Sequence, residues 1–341
     1  MNKREKIVFC DVDDDTRAFL NTSQLLKQYE VVMLEDCLDK TPANIIEKNT
    51  DAVVISTFVY SKLSGDLLKK FPHLRMISTR STGYNNVDLE YCKAHNISVV
   101  NVVGYGEITV AEYALGMLLD LTRKISFSNK KLREGHVDVN GDIGIDLSGK
   151  TIGVIGTGAI GRHFVKICYA LGCTILTYDP FQNQALIDSG MCRYTSLDEI
   201  FQKSDVISLH CPSTEENYHM INEASIKKMK HGVFIVNTAR GELIDALPLY
   251  DAIISGKIAG AALDVLDHEN AIIKHDIESV KHAGAESALY SLINEKLLQL
   301  PNVIITPHIA FNSSDAIRRI LETSVKNIHA FLCGEQVKSV W

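Results

Sequence analysis

Three glycines set the first chemical expectation. Gly156, Gly158 and Gly161 form a G-x-G-x-x-G pattern between an apolar run, TIGVI, and a helical stretch, AIGRHFVKICYALG. The first glycine allows a tight turn, the second lets backbone approach a pyrophosphate, and the third lets the helix pack close to the strand. The N–H groups at the helix start supply partial positive charge for the phosphates. Alone the pattern is weak, because any glycine-rich strand–helix turn satisfies it. Its context strengthens it: a second strand, TILTYD, follows and ends at Asp179, 18 residues beyond the last glycine, where a carboxylate can accept a ribose 2′-hydroxyl. The same charge would repel a 2′-phosphate, and the next residues, Pro180 and Phe181, offer no arginine to hold one. NAD, rather than NADP, is the expected cofactor.

Further along, three polar groups follow apolar runs. VNTARGELID carries Arg240, AALDVLDHEN carries Asp264, Asp267 and Glu269, and NVIITPHIAF carries His308. Open parallel sheets bind ligands at such strand ends. Hydride transfer to a 2-oxo acid needs a fork for the carboxylate and a proton donor for the developing alkoxide. Arginine provides the fork bidentately, and histidine titrates near neutrality. A carboxylate on the second imidazole nitrogen would fix its tautomer. Singly, each residue also has an ordinary reading: Arg240 as a cap or surface charge, His308 as a satisfied loop residue, Glu269 as a solvated charge. By chemistry alone Asp267 is an equal rival to Glu269, and only the shared strand-end placement ties the group together.

The elements that would position these groups alternate in type. Strands are expected at 6–10, 31–34, 52–56, 75–79 and 98–102, with helical stretches at 23–29, 43–48, 63–70 and 88–95 between them. A second series of strands is expected at 151–155, 174–178, 206–210, 233–237, 259–264 and 303–306. Most runs are apolar throughout, as parallel strands covered on both faces are. A long helical stretch at 108–132 and a final helix at 315–332 complete the pattern. The reading is α/β, with two units each built on a parallel sheet. The pattern leaves open whether the final helix belongs to the second unit or returns to the first.

Composition excludes other classes. Of 341 residues 46% are hydrophobic and 23% charged, enough apolar material for substantial cores, so disordered and fibrous chains drop out. A formal net charge of −7 without a long basic cluster argues against nucleic acid or an anionic membrane as partner. The N-terminal apolar run is too short for a signal peptide, and the most apolar stretch is interrupted by Glu112 and Asp120. The eight cysteines contain no CxxC pair and no metal-ligand spacing with histidine, so no metal site is expected. A cytoplasmic protein with buried, reduced thiols is the expectation.

Taken in order, STGYNNVDL (81–89), VAEYALGMLL (110–119), GKTIGVIGTGAIG (149–161), SLHCPSTEENYHMIN (208–222), NTARGELID (237–245), DVLDHE (264–269) and PNVIITPHIAF (301–311) resemble the D-isomer-specific 2-hydroxyacid dehydrogenase family over nearly the whole chain. The resemblance implies an active site of Arg240, Glu269 and His308, and so selects Glu269 over Asp267. It implies cofactor contacts at Ala159, Ile160, Asp179, Cys211, Pro212, Asn217, Thr238, Ala239 and Asp264. Backbone amides near Thr82 and Gly83 would face the substrate carboxylate. It further implies a discontinuous, flavodoxin-like substrate domain at 1–104 and 310–341 around a Rossmann NAD-binding domain at 105–309. The long helix beginning near Ile108 resembles the family's dimer-forming helix, which implies a homodimer.

Within the family, Tyr105 and Phe311 resemble the aromatics that surround a small substrate in the D-lactate dehydrogenase branch. Asn270 stands where a proline commonly follows the glutamate, and GYGEI lacks the branch's serine-proline. The implied reaction is reversible, NAD-dependent reduction of a short 2-oxo acid to the D-2-hydroxy acid, with pyruvate and D-lactate first. Alternatives are a glyoxylate, hydroxypyruvate or branched 2-oxo acid reductase and, from another class, an NAD(H)-sensing protein like the corepressors that share the scaffold.

Overall fold

The computed structural model describes residues 4–137, 143–268 and 285–341. The chain divides into two units, Met1–Tyr105 with Ser313–Trp341, and Gly106–Asn312.

In the first unit five strands, β1 (Lys6–Phe9), β2 (Glu30–Met33), β3 (Val54–Thr57), β4 (Met76–Thr79) and β5 (Ser98–Val100), form one parallel sheet in the order β2-β1-β3-β4-β5. β1, β3 and β4 are buried at every position, which is why their sequences do not alternate. One apolar cluster, including Ile55, Leu67 and Ile77, and a second, including Phe9, Met76 and Val100, hold the sheet. The second cluster takes in Val325 and Ile328 of the helix Ser314–Leu332, so the end of the chain completes the core of its beginning.

The first helix differs from the sequence expectation. Asp13 caps Asp14–Thr22 by accepting the Thr16 N–H at 2.8 Å, whereas 23–29 forms only a short 3-10 turn, Gln24–Leu26. Only Thr16 and Leu20 of that helix are buried, so its hydrophobic signal is faint.

The second unit has seven parallel strands: β6 (Thr151–Ile155), β7 (Thr174–Tyr178), β8 (Arg193–Tyr194), β9 (Val206–Leu209), β10 (Val233–Asn237), β11 (Ile258–Leu263) and β12 (Val303–Ile305). Their order is β12-β11-β10-β9-β6-β7-β8. The chain starts in the middle, winds to one edge and then returns to the other, the doubly wound Rossmann order extended by one strand. The reversal lies between β6 and β9, which pair directly although β7 and β8 intervene in sequence. That reversal opens the crevice in which such sheets bind dinucleotides.

The long helical stretch read at 108–132 is two helices, Glu107–Arg123 and Ile125–Arg133. They are separated by Lys124 in the left-handed conformation (φ 56°). The break is fastened by Asp120, which accepts both the backbone N–H and the hydroxyl of Ser126 at 2.6 Å. Glu107–Arg123 packs on Ala159–Ala170 and buries Ala111, Ala114, Leu118 and Leu121. A helix at Ala285–Leu298, absent from the sequence reading, lies against Ala246–Ile254.

Candidate active site

The glycine turn after β6 is built as a cradle. Gly156 has φ +94°, and a Cβ on it would lie 2.6 Å from the Cys211 nitrogen. A Cβ on Gly161 would sit 2.0 Å from the Gly156 carbonyl oxygen, so only glycine lets the helix come this close to the strand. Gly158 is different: a Cβ there meets nothing within 4 Å, and the residue is exposed. It caps Ala159–Ala170 with no side chain, so no capping side chain occupies the first-turn N–H groups at Ala159 and Ile160. Crowded first and third glycines with a clear second one are what a pyrophosphate needs.

Asp179, at the end of β7, is half-buried. Its Oδ2 accepts the Thr157 N–H at 2.7 Å and the Thr157 hydroxyl at 3.2 Å, and its Oδ1 accepts the Phe181 N–H at 2.8 Å. The carboxylate therefore ties the glycine turn to the second strand, and Oδ1, which accepts one bond with two lone pairs, retains capacity for a ribose hydroxyl. Under the turn lies His210. Its Nε2 is 2.8 Å from the Ser208 hydroxyl, its ring lies 4.8 Å from that of Phe164, and its Nδ1 is buried without a hydrogen-bond partner among the described residues. Burial pulls this imidazole down to about 3, so it is neutral at physiological pH. The motif reading had no signal for this role, since His210 entered only as part of a longer matching segment.

The loop after β9 carries Cys211, Pro212 and Asn217. Burial pushes the Cys211 thiol up to about 11. Asn217 spends its side chain within the loop, accepting the Thr214 N–H at 2.7 Å and donating to the Pro212 carbonyl at 2.8 Å. Thr238, after β10, is buried with its hydroxyl unpartnered among the described residues, and Ala239 beside it is half-buried.

Arg240, Asp264 and His308 follow the adjacent strands β10, β11 and β12, at the same edge of the sheet. Hydrogen bonds run between their loops. The Asn237 amide donates to the Arg240 carbonyl at 2.8 Å, the Asp264 N–H donates to the Asn237 carbonyl at 2.9 Å, and the His308 N–H donates to the Asp264 carbonyl at 2.9 Å. The Arg240 side chain is exposed, with Nη1 donating to the Ala239 carbonyl at 2.7 Å. His308 is exposed and sits at φ 56°, a left-handed conformation rare for a residue with a Cβ and frequent at functional sites. Asp264 is 1% exposed. Its carboxylate is directed at the His308 turn, where it accepts the Thr306 hydroxyl at 2.6 Å and the Ile309 and Ala310 N–H groups at 2.9 Å. Burial pushes this carboxyl above the usual range, against those donors. The sequence reading gave Asp264 to the cofactor alone and missed this second occupation. Glu269 lies outside the described residues, so its relation to His308 is not part of the geometry. Asp267, its chemical rival, is buried and engages His219 at 3.0 Å.

In the first unit Thr82 and Gly83 are exposed. Their loop is held by Thr82 donating to the Val102 carbonyl at 3.1 Å and by Ser81 donating to the Gly83 carbonyl at 2.6 Å. Tyr105 is half-buried, and its carbonyl accepts Arg319 Nε at 2.8 Å. In the second unit half-buried Phe311 stands beside Gly106, whose Cβ would lie 3.9 Å from that of Phe311.

The strand order and the glycine cradle define a dinucleotide-binding Rossmann domain, and comparison with known proteins agrees. The model of the D-isomer specific 2-hydroxyacid dehydrogenase NAD binding domain matches residues 115–310. A 2-hydroxyacid dehydrogenase homolog of Zymomonas mobilis is 36% identical over 312 residues, 91% of each chain. An aromatic 2-oxoacid reductase of Clostridium sporogenes is 33% identical over 326 residues, 95% of each. Among solved structures, D-lactate dehydrogenase of Aquifex aeolicus, complexed with NAD and lactic acid, superposes with a TM-score of 0.79 at 37% identity, covering 96% of both chains. The chain belongs to the D-isomer specific 2-hydroxyacid dehydrogenase family, and its cofactor is NAD. Among the described residues, no helix is long and apolar enough to cross a membrane.

Proposed function

We propose that the protein reversibly reduces a short 2-oxo acid to the D-2-hydroxy acid, with pyruvate and D-lactate as the pair, and that Arg240, Glu269 and His308 carry the reaction. The supporting observation is the placement of Arg240 and His308 on loops at one edge of the sheet, joined through Asn237 and Asp264. Bound NADH supplies the hydride. The Arg240 guanidinium pairs with the substrate carboxylate and polarises the neighbouring carbonyl, work for which its planar fork is suited. The His308 imidazolium delivers the proton to the developing alkoxide. Glu269 holds the other ring nitrogen and favours the charged imidazole. The Thr82 and Gly83 amides take the carboxylate, and Tyr105 and Phe311 limit the side chain that fits. Cofactor contacts are assigned to Gly156, Gly158, Ala159, Ile160, Gly161, Asp179, Cys211, Pro212, Asn217, Thr238, Ala239 and Asp264. The protein is proposed to act in the cytoplasm as a homodimer formed through Glu107–Arg123.

The Clostridium sporogenes relative supports a second substrate class, aromatic 2-oxo acids. A panel of pyruvate, hydroxypyruvate, glyoxylate, a branched 2-oxo acid and phenylpyruvate with NADH, scored by kcat/KM and product chirality, separates the candidates. His308→Gln is expected to lower kcat on the best substrate by about 10²–10⁴-fold. A variant that turns over at the wild-type rate removes the proton-donor assignment.

A further inference from the structure

We propose that His219 is a positioning residue for substrate binding, acting through Arg240. The inference rests on reading Arg240 as the carboxylate ligand.

His219 lies between β9 and β10 and stands at φ 50°. Its backbone N–H donates to the Glu242 carbonyl at 2.8 Å, two residues beyond Arg240, and its carbonyl accepts the Asn222 amide at 2.8 Å. Its ring reaches the other way. Nε2 is 3.0 Å from Asp267 Oδ2 and Nδ1 is 3.9 Å from Asp245 Oδ2, so one imidazole stands between two carboxylates. Tyr218 stacks on that ring with centroids 3.9 Å apart, which fixes its plane. One residue thus joins the segment after Arg240 to the segment that runs from Asp264 to Asp267.

Those two segments also press on each other directly. A Cβ on Gly241 would lie 2.1 Å from the Leu266 carbonyl carbon and 2.3 Å from the Asp267 nitrogen. Backbone therefore runs against backbone immediately after Arg240, and nothing but glycine fits. The helix Ala285–Leu298 closes the assembly from outside: Tyr290 donates its hydroxyl to Asp245 Oδ1 at 3.2 Å, and the fully buried Asn294 donates to the Asp267 carbonyl at 2.9 Å. A buried carboxylate such as Asp267 is weak evidence for stability, and a role in fixing one arrangement accounts for it better. Here the arrangement fixed is the position of the Arg240 backbone against the segment that begins at Asp264, whose carboxylate in turn holds the His308 turn. Two arms, one through Gly241 and one through His219, meet on Asp267.

The test compares His219→Ala, His219→Gln, Asp267→Ala and Arg240→Gln in the full chain. The probe is whichever of pyruvate, hydroxypyruvate or phenylpyruvate the wild type reduces best. His219→Ala is expected to raise KM for the 2-oxo acid about tenfold, as a small misplacement of a binding group does. NADH affinity should stay within about a factor of two of wild type. His219→Gln, which can still donate to Asp267, should recover most of the loss. Unchanged KM in His219→Ala overturns the proposal, as does a parallel loss of NADH affinity that glutamine does not rescue. If His219→Ala does not fold, Asp267→Ala, which removes the acceptor, decides: a raised KM with NADH binding intact supports the proposal, and an unchanged KM overturns it. Arg240→Gln isolates the underlying reading. Normal KM in that variant removes Arg240 as carboxylate ligand, whereas a raised KM there with normal His219 variants removes only the positioning role.

Discussion

Asp264 grips the turn that carries His308 on both sides, through Thr306 before it and through Ile309 and Ala310 after it, while its own carbonyl accepts the His308 N–H. The backbone of this left-handed residue is thereby flanked on both sides by groups that Asp264 binds. Asp264→Asn keeps an oxygen for Thr306 and Ile309 but turns an NH2 toward the Ala310 N–H. Donor then faces donor at a buried site, which costs about 1–3 kcal/mol for the group left unpaired. The turn is expected to shift, and kcat to fall on the order of 10²-fold, with a smaller change in NADH affinity. Steady-state kinetics with a separate NADH titration check this. A collapse of NADH affinity at unchanged kcat would mean that Asp264 matters for the cofactor and that its grip on the turn does not matter for kcat.

The three glycines of the cradle should fail in different ways. Gly161→Ala puts a methyl 2.0 Å from the Gly156 oxygen and is expected to unfold the second unit or greatly lower its melting temperature. Gly156→Ala combines a 2.6 Å contact with φ +94° and should also be destabilising. Gly158→Ala adds a methyl to open space at a negative φ, so its melting temperature should match wild type. Its NADH affinity should nevertheless fall by about tenfold or more, because the space the methyl enters is that assigned to the pyrophosphate. Calorimetry paired with NADH fluorescence titration tests the contrast, and equal NADH affinity in Gly158→Ala would move the phosphates elsewhere.

Asp179 should decide between NADH and NADPH. Removing its charge with Asp179→Ser takes away the repulsion toward a 2′-phosphate and one ribose acceptor. The ratio of kcat/KM for NADPH to that for NADH is expected to rise about tenfold or more, mostly through loss of NADH binding. Because Asp179 also holds Thr157, some loss of stability should accompany the change. A ratio that does not move would place specificity on another residue.

Much of the fold and part of the site were legible in the sequence, for reasons that particular residues make plain. The buried strands showed as unbroken apolar runs, as in VIST of β3 and VISL of β9, because helices cover both faces. Gly156, Gly158 and Gly161 announced the cradle because each meets a different steric demand. The helix Asp14–Thr22 was not legible because it buries two side chains and depends on Asp13 for its start. The break at Lys124 was invisible because an amphipathic pattern runs through it; the break depends on Asp120 bonding to Ser126, a contact that periodicity does not encode. Asp264 and Asp267 are the same residue type, three positions apart in one segment. The structure separates them: one faces the His308 turn, and the other meets His219, which is 48 residues away in sequence. Partners that distant lie beyond any local pattern.

His210 makes stability depend on pH in a window that can be isolated. Burial lowers its pKa from 6.5 to about 3. The unfolded chain therefore takes up a proton as pH falls through 6.5, and the folded protein does not until near 3. More protons on the unfolded state mean that stability decreases as pH falls across that interval, by at most about 1.4 kcal/mol per pH unit. Ordinary carboxylates titrate mainly below pH 5, so measurements from pH 7 to 5 separate the two effects. His210→Gln replaces the imidazole with an amide that takes no proton and can still reach Ser208. Wild type is expected to lose about 1–2 kcal/mol more than His210→Gln between pH 6.5 and 5, read from urea unfolding of the second unit's transition. The variant should be less stable at pH 7, where the neutral ring packs on Phe164, yet flatter toward acid. Parallel pH profiles for the two proteins would show that the ring beneath the glycine turn is already open to protons in the folded state.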